Sequence, residues 1–116
     1  MSCLFNSLSY FVKEDTSISI RNKICDYLLG NNELIDGMST SDIILYDSGV
    51  PLQIYVQRMR NTSTWGGAIE IMSFVKIFNI KVKVLVLNSN SYIEFHCNTD
   101  IEIRISWNGS HYEPII

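Results

Sequence analysis

The sequence has few cysteines, and their spacing excludes the sites that cysteines most often build. Its three cysteines, Cys3, Cys25 and Cys97, form no Cys-x-x-Cys pair, and an odd number cannot all be paired in disulfides. His96 and Cys97 are neighbours, so on a strand their side chains would point to opposite faces and would not share one metal ion. We therefore expect a reducing compartment, no disulfide framework, no metal site and no cofactor.

Basic charge and long apolar runs are also scarce. Nine lysines and arginines stand against twelve aspartates and glutamates, for a net charge of −3, so the chain lacks the basic excess typical of nucleic-acid-binding proteins. No apolar run approaches the ~20 residues that span a bilayer, and the first residues do not form a secretion signal. We therefore expect no nucleic-acid or membrane partner, a monomer, and a cytoplasmic location, which would be the host cytoplasm if a virus encodes the protein.

Proline and glycine are too few to form a linker. The rest of the composition is typical of one folded domain. The 116 residues include two prolines and six glycines, and 47% are hydrophobic while 18% are charged. This length suits one hydrophobic core, and this composition is that of a globular protein. We expect a single domain over residues 1–116.

The first half of the chain predicts helices, because apolar residues recur at helical spacing. The segment between Asn31 and Gly49 is mixed and predicts irregular structure with at most a helical turn. Gly30 suits the end of one helix, and Pro51 suits the first turn of another. The predicted helices cover Cys3 to Val12, Ile20 to Leu29, Pro51 to Met59 and Gly67 to Phe78.

The second half predicts strands. Lys81 to Leu87 is apolar on both faces toward its end, as an inner strand would be. Asn108-Gly109 favours a two-residue type I′ hairpin turn, after which the chain returns as a strand from His111 to Ile116. The fold class we predict is α+β, with a small, largely antiparallel sheet flanked by helices. The two remaining strands cover Tyr92 to His96 and Ile101 to Trp107.

Cys3 and His111 have the residue types and the chain order of a papain-like cysteine hydrolase. A thiol with a reference pKa of ~8.5 is activated by a helix N-terminus or by an imidazolium, and Cys3 begins a predicted helix. Glu113 lies two residues after His111, so on a strand it would share a face with the imidazole and hold its other nitrogen. From the residues alone, a small core cysteine and a structural histidine are the commoner readings of such positions, and the catalytic pair is the alternative.

Three segments together resemble one protein family. Ser2 to Phe5 opens a helix, Thr64 to Ile71 reads Thr-Trp-Gly-Gly-Ala-Ile-Glu-Ile, and Asn108 to Pro114 reads Asn-Gly-Ser-His-Tyr-Glu-Pro. Tyr55 and Met59 add a further match upstream of the tryptophan. These motifs resemble the OTU (ovarian-tumour) family of cysteine deubiquitinases, and most closely its OTU1/YOD-like branch. The resemblance extends over nearly the whole chain and implies a papain-like OTU fold.

The resemblance also implies an activity and a partner. It implies hydrolysis of the isopeptide bond after the C-terminal glycines of ubiquitin or of a ubiquitin-like modifier. Cys3 would be the nucleophile, with its own N–H as one oxyanion donor, and His111 the general base that later protonates the leaving amine. By the same resemblance, the residues lining the channel for the modifier's tail would be Trp65, Gly66, Trp107, Asn108, Gly109 and Ser110.

The chain departs from the family pattern in the residues that orient the histidine. Family members usually carry an aspartate shortly before the cysteine, but only Met1 and Ser2 precede Cys3. We therefore expect a domain that is abbreviated before the nucleophile. Glu113 stands where other members have Asp or Asn, two residues after His111. Two alternatives follow: a catalytically impaired OTU-like module that binds ubiquitin, and a plain α+β domain whose motif matches are accidental.

Overall fold

The described part of the chain folds into helices packed on a small sheet. A computed structural model describes residues 3–35 and 37–116. The fold class is α+β, as the sequence predicts. In chain order the elements are α1 (Cys3–Ser9), α2 (Ser17–Leu29), β1 (Glu33–Ile35), β2 (Met38–Ser39), α3 (Thr40–Ser48), α4 (Leu52–Met59), α5 (Ala68–Phe78), β3 (Lys81–Val86), β4 (Ser91–Phe95), β5 (Glu102–Trp107) and β6 (Tyr112–Pro114).

The main sheet has the strand order β4-β3-β5-β6, and β3 is an inner strand, as predicted. Its two outer pairings are antiparallel, but β3 and β5 run parallel, from Lys81 opposite Glu102 to Val86 opposite Trp107. The segment after β4 carries the chain across β3 before β5 begins. As a result β5 ends at the same edge of the sheet as β3, and the β5–β6 loop lies at that edge.

The core lies between the helices and one face of the sheet. Leu4, Phe5 and Leu8 of α1 are almost fully buried, and α2 packs against α1, α4 and α5. Helix α1 also packs against β6. Because of that contact, the first and last segments of the chain meet, although more than a hundred residues of sequence separate Cys3 and His111.

The segment from residue 31 to residue 49 is more regular than predicted. It contains the short β1–β2 pair and the whole of helix α3, whose N-cap is Ser39 and whose C-cap is Gly49 at φ 76°. Strands of two or three residues show no readable alternation, which explains why the sequence pattern missed them. Asp36, inside this segment, lies outside the described residues.

Two helix boundaries also differ from the prediction. Helix α1 ends at Ser9 rather than at Val12, and hydrogen bonds from Phe11 N to Leu8 O (3.1 Å) and from Val12 N to Ser9 O (3.3 Å) form tighter turns after it. Pro51 is the N-cap of α4 and does not lie in its first turn. Helix ends predicted from apolar spacing differ from the observed ones because the spacing can continue past the residue where helical backbone hydrogen bonding stops.

The predicted two-residue turn between the last strands is wrong. Trp107 pairs with Tyr112, so four residues, 108 to 111, connect β5 to β6. The Oδ1 atom of Asn108 accepts hydrogen bonds from Ser110 N (3.0 Å) and His111 N (2.8 Å), and Gly109 has φ 102°. The asparagine side chain thus substitutes for a strand partner, and His111 belongs to this loop rather than to a strand.

Candidate active site

Cys3 and His111 line one cavity. Cys3 is the first residue of α1 and is partly buried, while His111 precedes β6, against which α1 packs. The cavity has a volume of about 380 Å³, and Tyr112 and Glu113 also line it. An accidental motif match would have predicted that the two residues lie apart. The fold instead brings the two residues to the wall of one cavity.

A second, larger cleft lies on another side of Cys3. Its volume is about 650 Å³, and Cys3 and Tyr112 belong to its wall as well as to that of the smaller cavity. Cys3 therefore lies where the two cavities meet. Of the predicted channel residues, those that line this cleft are Trp65, Gly66, Trp107, Gly109 and Ser110.

Gly66 lets the segment of Trp65 to Gly67 lie directly against α1. A Cβ atom at Gly66 would come within 2.7 Å of Leu4 Cδ2 and within 3.0 Å of the Phe5 ring. Real Cβ atoms do not approach other atoms so closely, so a larger residue would have to displace the buried Leu4 and Phe5 side chains of α1. The cleft wall and the helix that carries the candidate nucleophile are consequently packed as one unit.

Asn108 has a different place from the other predicted channel residues. Its side chain accepts hydrogen bonds inside its own loop, and its carbonyl oxygen accepts one from Asn88 Nδ2 at 3.2 Å. The backbone N–H of Asn108 donates to His111 O at 3.2 Å. Asn108 thus fixes the backbone of His111 from both sides, and its observed role is to hold the histidine loop.

Glu113 lies beside His111. Its Oε1 atom is 3.3 Å from His111 Nε2, and the two side chains are 68% and 48% exposed. A carboxylate at this distance can hold one ring nitrogen of the imidazole and leave the other for proton transfer. The contact is open to solvent, so its electrostatic strength is that of a surface pair.

Tyr112 is a site residue that the sequence analysis did not single out. Its ring stacks on that of Trp107, with centroids 6.2 Å apart, and it lines both cavities. Burial, together with the nearby Cys3 and Glu70, raises the pKa of its phenol. The sequence feature that could have identified it is its position directly after His111, inside the motif from Asn108 to Pro114.

Arg21 supports the site from behind and was also missed. It is 2% exposed, and its Nη1 donates to Met59 O at 2.7 Å and to Asn61 O at 3.0 Å. Its guanidinium lies 4.1 Å from the centroid of the Phe5 ring. The residue connects α1 to the loop that leads to Trp65. An arginine on the buried face of α2, between apolar residues, was the sequence signal.

The described residues contain neither a metal-binding cluster nor a membrane-spanning helix. Across residues 3–35 and 37–116, no three His, Cys, Asp or Glu side chains are grouped so that they could hold a metal ion. Within the same residues, no helix combines the length and the apolar character that crossing a membrane needs.

Comparison with known proteins gives one consistent family. The family model described as OTU-like cysteine protease matches residues 2–112. The chain is 29% identical to ubiquitin thioesterase OTU1 of Mus musculus over 98% of its own length and 33% of the relative's. It is 30% identical to ubiquitin thioesterase otu2 of Schizosaccharomyces pombe over 72% of its own length and 29% of the relative's. The chain thus spans about a third of the curated relatives it matches.

Solved structures agree on the fold. A structure of an ovarian-tumour domain in complex with ubiquitin superposes with a TM-score of 0.78 at 25% identity, covering 97% of this chain and 62% of that one. The viral OTU domain protease from Dera Ghazi Khan virus gives a TM-score of 0.70 at 18% identity, with 97% and 72% covered. A family match over residues 2–112, together with this fold, places the chain in the OTU-like cysteine protease family.

Proposed function

We propose that this domain is a cysteine deubiquitinase. Its reaction is hydrolysis of the isopeptide bond after the C-terminal Gly-Gly of ubiquitin or of a ubiquitin-like modifier. The observation that carries the proposal is the position of Cys3, which lies between the cavity that contains His111 and the larger cleft lined by Trp65 and Gly66. A cleft wall of tryptophan and glycine suits a tail that ends in two glycines, because the glycines of the tail have no side chains to accommodate.

The reaction has two halves, which use the same two residues. His111 takes the proton of the Cys3 thiol, and the sulfur attacks the carbonyl carbon of the terminal glycine. The resulting oxyanion accepts a hydrogen bond from Cys3 N–H, which begins α1 and has no partner within the helix. His111 then gives its proton to the leaving lysine amine as the carbon–nitrogen bond breaks, and a thioester remains on Cys3.

Water completes the cycle. His111 takes a proton from a water molecule, whose oxygen attacks the thioester carbonyl. The carbon–sulfur bond breaks, the modifier leaves with a free carboxylate, and Cys3 regains its proton. Glu113, 3.3 Å from His111 Nε2, stabilises the imidazolium that forms in both halves.

The comparisons support the same assignment. Three relatives, from Schizosaccharomyces pombe, Mus musculus and Saccharomyces cerevisiae, are named ubiquitin thioesterases, and the most similar fold described above was solved with ubiquitin bound. Because the chain covers only about a third of those relatives, their activity is carried over as part of the proposal. We further propose that the domain acts as a monomer in the cytoplasm, without nucleic-acid or membrane partners.

The test is cleavage of isopeptide-linked di-ubiquitin, followed by electrophoresis. The wild-type protein should release mono-ubiquitin, while Cys3→Ala and His111→Ala should release none. Cys97→Ala is the matched control, since that partly buried thiol lines neither cavity at Cys3 and should leave cleavage unchanged. Ubiquitin binding without cleavage by the folded wild-type protein would favour the impaired binding module instead.

A further inference from the structure

A buried carboxylate lies next to the cleft wall, and the proposed reaction does not use it. Glu70 is 1% exposed, and its two oxygens have different partners. Oε1 accepts a hydrogen bond from Gly67 N at 2.7 Å, and Oε2 accepts one from Tyr55 Oη at 2.5 Å. Both contacts are partly buried: one joins the first turn of α5 to α4, and the other joins it to Gly67, the N-cap of α5.

We propose that Glu70 and Tyr55 form a positioning pair, which holds the Trp65–Gly67 wall of the cleft in place for the modifier's C-terminal tail. The inference rests on the proposed function, and it assigns a specific role to two residues that do not touch the reacting atoms. Neither residue lines the larger cleft that contains Cys3.

The contacts on the wall explain why this pair would matter for binding. Gly67 is held by Glu70, and Gly66, directly before it, is packed against Leu4 and Phe5 of α1. A displacement of Gly67 would therefore move Gly66 against the helix that begins with Cys3. The wall has little freedom to relax in that direction.

The other end of the same segment is also held. Arg21 donates to the carbonyl oxygens of Asn61 and Thr62, which lie four and three residues before Trp65. The segment from Asn61 to Gly67 is consequently attached to the core at both ends, by an arginine on α2 and by a glutamate on α5. The last three residues of the segment line the cleft, and Trp65 among them is 55% exposed.

The energetics favour a role beyond packing. A carboxyl group is costly to bury, and an apolar side chain of similar size would fill this space more cheaply. What an apolar side chain cannot do is accept the N–H of Gly67. The Tyr55 hydroxyl then fixes the rotation of the carboxyl group, so that Oε1 faces Gly67.

The experiment compares two replacements of Glu70. Glu70→Gln keeps an oxygen that accepts from Gly67 N, and its amide can donate to Tyr55 Oη. Glu70→Met keeps the length of the side chain but has no such acceptor. The loss of one buried hydrogen bond corresponds to roughly a five- to tenfold change in an equilibrium. Ser73→Ala, one turn further along the buried face of α5, is the matched control.

The readout is steady-state cleavage of ubiquitin with a C-terminal fluorophore. We expect Glu70→Met to raise KM about five- to tenfold with little change in kcat, because the wall binds substrate equally in the ground and transition states. Tyr55→Phe should change KM in the same direction by less. Glu70→Gln and Ser73→Ala should stay near wild type, and alkylation of Cys3 by chloroacetamide should be equal in all of them.

Each result decides the proposal. A wild-type KM for folded Glu70→Met, or an equal loss in Glu70→Gln, would overturn it. If Glu70→Met does not fold, a wild-type KM for Tyr55→Phe overturns it in the same way. If the wild-type protein cleaves nothing, the proposed function fails, and amide NMR spectra decide the positioning role. In that case, shifts at Trp65 and Gly66 in Glu70→Met alone support the pair, and unmoved resonances reject it.

Discussion

Glu113 Oε1 lies 3.3 Å from His111 Nε2, and both side chains are about half or more exposed to solvent. In the proposed reaction, Glu113 is the carboxylate that faces the imidazole. A solvent-exposed ion pair contributes at most about 1 kcal/mol. In the proposed reaction, the contact therefore adjusts the orientation of the imidazole and provides only a small part of the rate acceleration.

Replacing Glu113 should lower the activity modestly. For Glu113→Ala we expect kcat/KM to fall by about fivefold, which corresponds to about 1 kcal/mol. The control is Glu102→Ala, which removes a glutamate paired with Arg104 on β5. Steady-state cleavage assays measure kcat/KM of both variants. A loss of a thousandfold in Glu113→Ala would mean that the carboxylate does more than this exposed contact allows.

Gly66 should tolerate no side chain, whereas Gly67 should tolerate one. Gly66→Ala places a methyl group 2.7 Å from Leu4 Cδ2, so we expect a loss of about 1–3 kcal/mol in the free energy of unfolding. Gly67→Ala is the matched control, because a Cβ there meets no atom within 4 Å. Urea unfolding measures the free energy of unfolding of both variants. Equal stability of the two variants would contradict the close packing of the wall on α1.

The loop of His111 should depend on an acceptor at position 108. Asn108→Asp keeps an oxygen for the N–H groups of Ser110 and His111, whereas Asn108→Ala does not. We expect Asn108→Ala to lower kcat/KM by about five- to tenfold, the equivalent of one lost hydrogen bond, with Asn108→Asp close to wild type. An alanine variant with full activity would show that the loop holds its shape without this side chain.

The stability of the fold should depend on pH through Glu70. Burial raises the pKa of Glu70 from its ordinary value of 4.5 to about 7, while hydrogen bonds from Tyr55 and Gly67 act in the opposite direction. The folded protein then holds this proton more tightly than the unfolded chain does. The resulting stabilisation is fully present below pH 4.5 and is lost as the pH rises through about 7.

Glu70→Gln removes this titration. The free energy of unfolding of wild type, relative to that of Glu70→Gln, should therefore fall by up to about 3 kcal/mol as the pH rises across this interval. Chemical unfolding of both proteins from pH 4 to pH 8 measures the difference. A constant difference would show that Glu70 keeps an ordinary pKa in the folded protein.

Local patterns predicted the elements that have strong periodicity. Helix α5 and the inner strand β3 follow directly from apolar spacing, and the motif around Trp65 located one wall of the cleft. Residue type and chain order made Cys3 and His111 one candidate pair, and the resemblance to a family then favoured it. Spacing along the chain contains no information about the packing of α1 on β6.

The structural features that the sequence did not predict have physical causes. The parallel pairing of β3 with β5 depends on how the chain crosses the sheet after β4, which alternation does not encode. The four-residue loop before β6 forms because the Asn108 side chain bonds to the backbone, a choice that competes with the two-residue turn of Asn-Gly. Arg21 was missed because its partners are carbonyl oxygens of a distant loop.

The most direct test of the account is reaction with ubiquitin that carries a C-terminal electrophile. Intact-mass and peptide analysis after incubation should find one ubiquitin per protein, attached to Cys3 and to neither Cys25 nor Cys97. His111→Ala should slow the reaction strongly, while Cys97→Ala should leave it unchanged. A folded wild-type protein that forms no adduct, or forms one on another cysteine, would contradict the assignment of Cys3 as the nucleophile of a deubiquitinase.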